Sequence, residues 1–400
     1  MSDQTVTQEM KKLQFLSGDS SFILDLVRVI ACEMIVLCHI LGMYLLYKNR
    51  EFDNIYLEWK TVAFLAQVGV MLFFFVSGIV IANSLFSKMR MGKYGFVSYF
   101  ADRFSRIYSG LVPGLIIILF LDVLILWIDR PLYLNVGSRF GAGDLAGSVF
   151  LASLMMIQSL PPFNIPQPHF AQVLWTLNIE WWLYMLFGWM VIYGKRIKKL
   201  DWKAASVLLA LSLIPAYRFL GVTDSTGSLI PVWFFGVLIA ILLSRGKYVD
   251  FIRKYFKYLF GLAIILTAIR IAQICIWDLL FYDVVLELLI GCLILIMIVN
   301  YNGSSRLPFD RLKVLIKTMA RYSFTLYLIH MALIGLILAI DNVCRFNLPF
   351  IGIFLIALLL TNSVALAVAS VTEMRYKKLS GWIKGKTAGI RVLQSPASPQ

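Results

Sequence analysis

Charged and metal-ligating residues are scarce in this chain. Only 15% of its 400 residues are charged, Asp and Glu number 22 against 37 Lys and Arg, and there are three histidines. The histidines lie far apart in the sequence, and none stands in the HxxxH or ExxH spacing of a metal site. No glycine-rich loop of the phosphate-binding kind occurs. The sequence therefore indicates neither a metal cofactor nor a nucleotide-binding loop.

Cysteine is equally sparse, with five in the whole chain. The cysteines form no CxxC pair and no metal-ligand spacing, and four of them lie in apolar segments, which is typical of small core residues. The first 21 residues are polar, and the apolar segment that follows is too long for the core of a cleaved signal peptide. We therefore expect structural cysteines and no cleaved leader.

Long apolar segments are what the chain has in abundance. Hydrophobic residues make up 60% of it and the mean hydropathy is +0.81, a balance that excludes a soluble domain of this size. We predict an all-α polytopic membrane protein with about ten transmembrane helices, each near the length that crosses a hydrocarbon core of ~30 Å. The predicted segments are 22–47, 60–87, 107–128, 173–193, 203–220, 229–244, 255–275, 279–300, 322–340 and 349–371.

The chain has a net charge of +15, and its basic residues lie mainly in the loops on one side of the predicted membrane segments. Most Lys and Arg residues fall in the terminal regions and in the loops before the third, fifth, seventh and ninth segments, whereas the opposite loops contain few. By the positive-inside rule, both termini are cytoplasmic. The positive-inside rule accounts for the excess of Lys and Arg, so this excess does not indicate nucleic-acid binding. We therefore expect membrane lipid, and no nucleic acid, as a partner.

The chain divides into three parts. Residues 1–21 form a cytoplasmic segment, residues 22–375 form the transmembrane domain, and residues 376–400 form a basic cytoplasmic tail that we expect to be disordered. The long outer loop, about 129–172, is rich in proline and large enough to shape an outward-facing site. Within it, the glycine-broken apolar stretch 145–160 indicates a re-entrant or surface element.

Arg28 and His39 are ionisable residues inside the first apolar segment, where such groups are costly and usually face a cavity or a partner. Their spacing places them about 20° apart around a helix and roughly 16 Å apart along it. This pattern indicates a substrate path with chemistry at its far end, where His39 would suit a catalytic base. Two alternatives remain: a structural ion pair of Arg28 with Asp25, and His39 as an interhelical hydrogen-bond donor.

Other polar residues in the apolar segments also need an explanation. Ser77-Gly78 predicts a close approach by another backbone, and Ser77 lacks the sequence context of a nucleophile. Glu180 lies in LWTLNIEWWLY, whose aromatic residues we interpret as an interfacial belt at the outer face. Its carboxylate either accepts hydrogen bonds from another helix or lines a cavity.

Two further pairs complete the candidates. Arg103 and Arg106, at i and i+3 before the third segment, fit either ordinary positive-inside anchoring or a phosphate clamp. His330 is the second histidine deep in an apolar segment, and Tyr327 lies one turn before it.

Six blocks of this sequence, in order, resemble those of the acyltransferase-3 family, membrane-bound O-acyltransferases that modify sugars on bacterial surface glycans. DLVRVIACEMIVLCHI resembles the family's signature of Arg, ten residues and His, here Arg28 and His39. FFFVSGIVIANSL is similar to the second-helix block, and DRFSRIYSG to the RxxR block with Arg103 and Arg106. LWTLNIEWWLY resembles the block that supplies Glu180.

The last two blocks lie in the C-terminal half. YSFTLYLIHM resembles the block with Ser323, Tyr327 and His330, and VTEMRYKKL resembles the closing block with Glu373. The resemblance covers about residues 22–375. The chain departs from the family pattern where Val29, Ser109-Gly110 and Met374 replace common Gly and Pro residues, which indicates a divergent branch.

The resemblance implies an acyl-CoA donor, usually acetyl-CoA, used from the cytoplasmic side of a bacterial inner membrane. The acceptor would be a hydroxyl of a cell-surface glycan or its lipid-linked precursor, within a polysaccharide assembly pathway. His39, Arg28 and Glu180 would be catalytic, and Arg103 and Arg106, with Arg28, would hold the CoA phosphates. Further candidates for the substrate cavity are Asp25, Ser77, Tyr327 and His330.

Several alternatives stay open at this point. His39 could deprotonate the acceptor hydroxyl or itself become acylated. A secondary transporter or a flippase of a lipid-linked glycan would also use intramembrane His, Glu and Arg, although no inverted repeat is visible. A non-catalytic scaffold would give no reason for Arg28 and His39 to share a helix face.

Overall fold

The structure is a computed structural model that describes part of the chain. The described residues are 19–48, 56–90, 92, 94–134, 145–158, 165–194, 206–207, 209–212, 228–277, 283–301 and 310–393. Within these ranges the protein is helical and contains no strand, as the sequence predicted. The helices are α1 (Asp19–Lys48), α2 (Tyr56–Arg90), α3 (Phe96–Ile128), α4 (Gly147–Met155), α5 (Leu174–Gly194), α6 (Leu229–Leu243), α7 (Gly246–Lys254), α8 (Phe256–Trp277), α9 (Val284–Tyr301), α10 (Asp310–Cys344), α11 (Phe350–Val371) and α12 (Tyr376–Leu393).

Six helices of the described chain are long and apolar enough to cross a membrane. They are α1, α2, α3, α8, α10 and α11, the last with its continuation to Lys386. The pair α6 and α7, bent by 93°, would make a seventh span. The predicted count of about ten is therefore not confirmed. α5 and α9 coincide with two other predicted segments, and the predicted segment 203–220 lies largely outside the described residues.

The bundle is built around α1, α2 and α10. α2 packs against α1 and α6, while α10 packs against α1, α3 and α11. Glycines allow the closest contact: a Cβ on Gly78 would lie 2.1 Å from the carbonyl oxygen of Trp233, and one on Gly236 would lie 2.2 Å from that of Phe75. The backbones of α2 and α6 can approach this closely only because neither residue has a side chain. The packing role predicted for Ser77-Gly78 is confirmed.

The C-terminal region corrects one expectation. We expected residues 376–400 to be disordered, but residues 376–393 form α12. Asp102 of α3 holds this helix in place, because its carboxylate accepts hydrogen bonds from Ser380 Oγ at 2.6 Å and Lys384 Nζ at 2.5 Å. The same carboxylate accepts bonds from Lys88 Nζ and Tyr94 OH, each at 2.7 Å. A buried acid with four donors provides an anchor that the tail's own composition does not reveal.

The segment before α5 is tied to that helix by side-chain hydrogen bonds. Asn178 Nδ2 donates to the carbonyl oxygen of Gln158 at 2.7 Å, and Gln158 Nε2 donates to that of Leu174 at 2.8 Å. Trp182 Nε1 donates to the carbonyl oxygen of Met156 at 2.8 Å. These bonds satisfy buried backbone groups next to α4 and fix α5, which carries several residues of the candidate site.

Candidate active site

Two cavities open among the central helices, and both have Val70 of α2 and Tyr327 of α10 in their walls. The first, which we call the arginine cavity, is lined by Arg28, Ser77, Arg103, Arg106, Glu180, Tyr184 and Ser323, among others. The second, which we call the histidine cavity, is lined by Cys38, His39, Gln67, Gln172 and Trp175, among others. Tyr327 is held at the shared wall, because its hydroxyl lies 2.7 Å from Thr176 Oγ1 and 3.2 Å from the carbonyl oxygen of Val173.

Three arginines line the arginine cavity. Arg28 comes from α1, and Arg103 and Arg106 come from the second and third turns of α3, so three guanidinium groups from two helices line one space. Within the described wall, Glu180 is the acidic counterpart. Three guanidinium groups that face one space can donate together to an anionic ligand, and they suit the phosphate group in particular.

Glu373 anchors one of these arginines. It lies in the turn Glu373–Arg375 between α11 and α12, is fully buried, and pairs with Arg106 at 2.8 Å from Nη1. Its other carboxylate oxygen accepts hydrogen bonds from Thr325, at 2.7 Å from Oγ1 and 3.1 Å from the backbone nitrogen. The Arg106 guanidinium also lies 5.4 Å from the ring centroid of Tyr376. These contacts hold Arg106 at the cavity wall.

Arg28 and Arg103 have looser partners. Arg28 Nη1 lies 3.9 Å from Asp25 Oδ1, so the ion pair considered from the sequence is present alongside the cavity position. Arg103 Nη2 donates to Ser84 Oγ at 3.4 Å, and its guanidinium lies 5.8 Å from the ring centroid of Tyr99. Both guanidinium groups therefore keep donor capacity for a ligand.

A chain of hydrogen bonds leads into the arginine cavity and ends at Glu180. Tyr184 OH donates to Glu180 Oε1. Ser77 Oγ, 2.6 Å from the Tyr184 oxygen, must then donate to it, while Trp233 Nε1 donates to Ser77 at 3.2 Å. Ser77 is part of the cavity wall, beside Glu180.

The aromatic residues near Glu180 pack inside the protein, and our interpretation of them as an outer belt was wrong. Trp181 is only 6% exposed. Its ring packs edge-on against Tyr108 at 5.6 Å and Phe104 at 6.5 Å between centroids. Trp175 lines the histidine cavity. The sequence did not reveal this, because an aromatic-rich helix has the same composition whether its side chains face lipid or a neighbouring helix.

His39 meets His330 at the histidine cavity. His39 Nδ1 lies 2.8 Å from His330 Nε2, and the two rings stack with centroids 5.0 Å apart. His330 Nδ1 lies 2.8 Å from the carbonyl oxygen of Tyr327 and 3.1 Å from that of Leu326. Carbonyl oxygens only accept, so His330 Nδ1 carries a hydrogen, and in the neutral pair His39 Nδ1 donates to His330 Nε2. The lone pair of His39 is then on Nε2.

The structure separates the residues that the sequence grouped together. Glu180 lies with the arginines, and His39 lines the other cavity, so these two proposed catalytic residues do not share one space. His330 is fully buried behind His39 and lines neither cavity. His169 is buried against Tyr133, with ring centroids 4.4 Å apart, as a loop residue outside both cavities.

Sequence reasoning missed several residues of this site. Tyr184 could have been found, because it follows Glu180 by one helical turn. Gln67 stands out as a polar residue in an apolar segment, and Gln172 precedes α5. Thr325 and Trp233 gave no signal, since their partners are 48 and 156 positions away. Among the described residues, no group of three or more His, Cys, Asp or Glu side chains could hold a metal ion.

Comparison with known proteins identifies the class. A family model described as an acyltransferase domain, that of the acyltransferase-3 family, matches residues 22–370. The chain therefore belongs to the acyltransferase-3 family, as its six sequence blocks indicated. Neither the curated proteins nor the solved structures gave a significant match.

Proposed function

We propose that this protein is an integral membrane O-acyltransferase that moves an acyl group, in the simplest case acetyl, from acyl-CoA to a hydroxyl of a cell-surface glycan or its lipid-linked precursor. One observation carries the proposal. In a chain of an acyltransferase family, a cavity lined by three arginines and a cavity lined by His39, whose ring contacts the buried His330, share Val70 and Tyr327 in their walls. The first suits the anionic donor and the second suits proton removal from the acceptor.

The donor would bind in the arginine cavity. CoA carries several phosphate charges, and Arg103 and Arg106, near the start of α3, would hold them with Arg28 deeper in the same space. Glu180, fixed by Tyr184, would balance part of the positive charge of Arg28 and Arg106. The narrow pantetheine arm would then extend toward Val70 and Tyr327, and bring the thioester to the histidine cavity.

The acceptor would bind in the histidine cavity. Gln67 and Gln172 offer amide groups to sugar hydroxyls, and Trp175 offers an apolar ring face to a pyranose. His39 Nε2 would take the proton of the reacting hydroxyl as its oxygen attacks the thioester carbon. The new C–O bond forms, the C–S bond breaks, and the proton passes from His39 to the departing CoA sulfur. Protons and electrons balance without a further reactant.

The proposal includes a direction across the bacterial inner membrane. The arginine cavity contains Arg103 and Arg106, which belong to the basic loop before the predicted segment 107–128. This is the side of the membrane on which Lys and Arg are concentrated. The histidine cavity is lined from the opposite ends of α1 and α2, and from the N-terminus of α5. Acyl-CoA would therefore enter from the cytoplasm, and the glycan would be modified from the outer side.

A reconstituted assay tests this function. The purified protein in lipid nanodiscs is given radiolabelled acetyl-CoA and the lipid-linked glycan fraction from cells that produce it. We expect base-labile label in the glycan and matching release of CoA thiol, both lost in His39→Gln and retained in the matched control His169→Gln. Glycan binding without thiol release would favour the flippase alternative and contradict the proposal.

A further inference from the structure

His330 is placed to act through His39 rather than on a substrate. It is fully buried, lines neither cavity, and uses both ring nitrogens within the protein. One nitrogen faces the carbonyl oxygens of Leu326 and Tyr327, the residues four and three positions earlier in α10. The other faces His39 across the contact between α10 and α1. A histidine needed only to fill space would not require both contacts.

We infer that His330 is a positioning residue that fixes the tautomer and the direction of the His39 ring. This inference rests on the proposed function, in which His39 Nε2 is the base. The helix carbonyl groups require a hydrogen on His330 Nδ1, which makes Nε2 of the neutral ring an acceptor. That acceptor in turn requires a hydrogen on His39 Nδ1. The tautomer of His39 is thus set by the backbone of a different helix.

The alternative tautomer of His39 would be inactive. Its lone pair would lie on Nδ1, which faces α10, and Nε2 would carry a hydrogen and could not remove a proton from a hydroxyl. Without a fixed acceptor at Nδ1, the His39 ring could take up either tautomer or turn, so part of the population would lack the lone pair on Nε2. A fixed second partner prevents both losses, as the aspartate does for the histidine of a serine protease triad.

The neutral partner also suits both halves of the proton transfer. When His39 becomes an imidazolium, its Nδ1–H bond to His330 Nε2 becomes charge-assisted and stabilises the cation. An uncharged imidazole stabilises it less than a carboxylate would, so the proton remains available for the CoA sulfur. Over one reaction His330 neither gains nor loses a proton.

An isosteric pair of substitutions tests the inference. Gln and Met have similar size and shape, but only Gln offers an oxygen that can accept the His39 Nδ1–H bond. His330→Gln and His330→Met are compared with the wild type in the nanodisc assay, with KM for acetyl-CoA, kcat and CoA affinity by calorimetry. We expect kcat of His330→Met to fall by about two orders of magnitude or more. KM and CoA affinity should stay unchanged, and His330→Gln should recover kcat at least tenfold relative to Met.

Two results would overturn the inference. One is equal kcat in the Gln and Met variants, which would assign His330 to packing. The other is wild-type kcat in His330→Met, which would remove any role. If His330→Met fails to fold, His330→Asn and His330→Leu repeat the acceptor test with a shorter pair of similar size, and a rate of the Asn variant no higher than that of the Leu variant would overturn the inference. Failure of the wild-type protein to transfer acetyl at all would refute the proposed function instead.

Discussion

Arg28 and His39 lie on the same helix, α1, yet each lines a different cavity, and the two cavities share Val70 and Tyr327 as walls. A molecule that contacts both residues would have to cross the wall that Val70 and Tyr327 contribute to. Tyr327 is hydrogen-bonded to α5, so it is the less movable of the two. For a ligand that reaches from Arg28 to His39, the side chains of Val70 and Tyr327 would form the narrowest part of the path.

The wall shared by the two cavities gives the first prediction. Val70→Phe should close the passage, so that CoA still binds in the arginine cavity while acetyl transfer falls at least about tenfold, since overpacking a wall is not relieved without backbone shifts. Leu65→Phe, on the exposed side of α2, is the matched control and should transfer normally. Calorimetry with CoA and the nanodisc assay measure the two quantities separately. Normal transfer by Val70→Phe would mean that the donor takes another route.

The arginines give the second prediction. A charge-assisted hydrogen bond contributes roughly 1.5–3 kcal/mol, so Arg103→Ala and Arg106→Ala should each weaken CoA binding about tenfold to a hundredfold. Lys at either position should recover only part of the affinity, because an ammonium cannot make a bidentate contact. Arg311→Ala, exposed at the start of α10, should bind CoA normally. If Lys substitutes fully, or affinity is unchanged in all variants, the two arginines serve only as topology anchors.

The orientation gives the third prediction. In a variant whose five native cysteines are replaced by Ala, single cysteines at Leu134 and Lys377, both exposed, should be labelled from opposite sides of the membrane. A membrane-impermeant maleimide added to intact cells should modify the cysteine at 134 and leave the one at 377 until the cells are opened. Labelling of both in intact cells would contradict the topology.

The contact of α2 with α6 gives the fourth prediction. Gly78→Ala puts a Cβ 2.1 Å from the carbonyl oxygen of Trp233, which is backbone and cannot turn away. We expect a clear loss of thermal stability in detergent, measured by the midpoint of unfolding. Gly261→Ala in α8 has no atom within 4 Å of the new Cβ and should be neutral or stabilising by up to about 1 kcal/mol. Equal midpoints for the two variants would contradict the close packing.

The sequence was most informative where a property is local. Apolar segments predicted the helices, and Ser77-Gly78 predicted a close helix contact, because length, hydropathy and small size act at the residue itself. The i, i+11 spacing of Arg28 and His39 suggested a path along one helix, and both side chains do line cavities. The resemblance to the family blocks pointed to the other candidate residues, such as Ser323 and Glu373.

What the sequence could not supply depends on which helices meet. The partner of His39 is 291 positions away, and Asp102 binds α12 across 282 positions at Lys384. No pattern within one helix reports such pairs. For the same reason, the sequence grouped Glu180 with His39 although the fold puts the carboxylate among the arginines.

The most direct test of the central claim uses membrane vesicles from cells that produce the protein, prepared in both orientations and given radiolabelled acetyl-CoA from outside. We expect base-labile label in the glycan of inside-out vesicles, whose cytoplasmic face meets the donor, and none in sealed right-side-out vesicles. His39→Ala should abolish this label. Equal labelling in the two orientations, or undiminished labelling with His39→Ala, would contradict transfer from the arginine cavity to the histidine cavity.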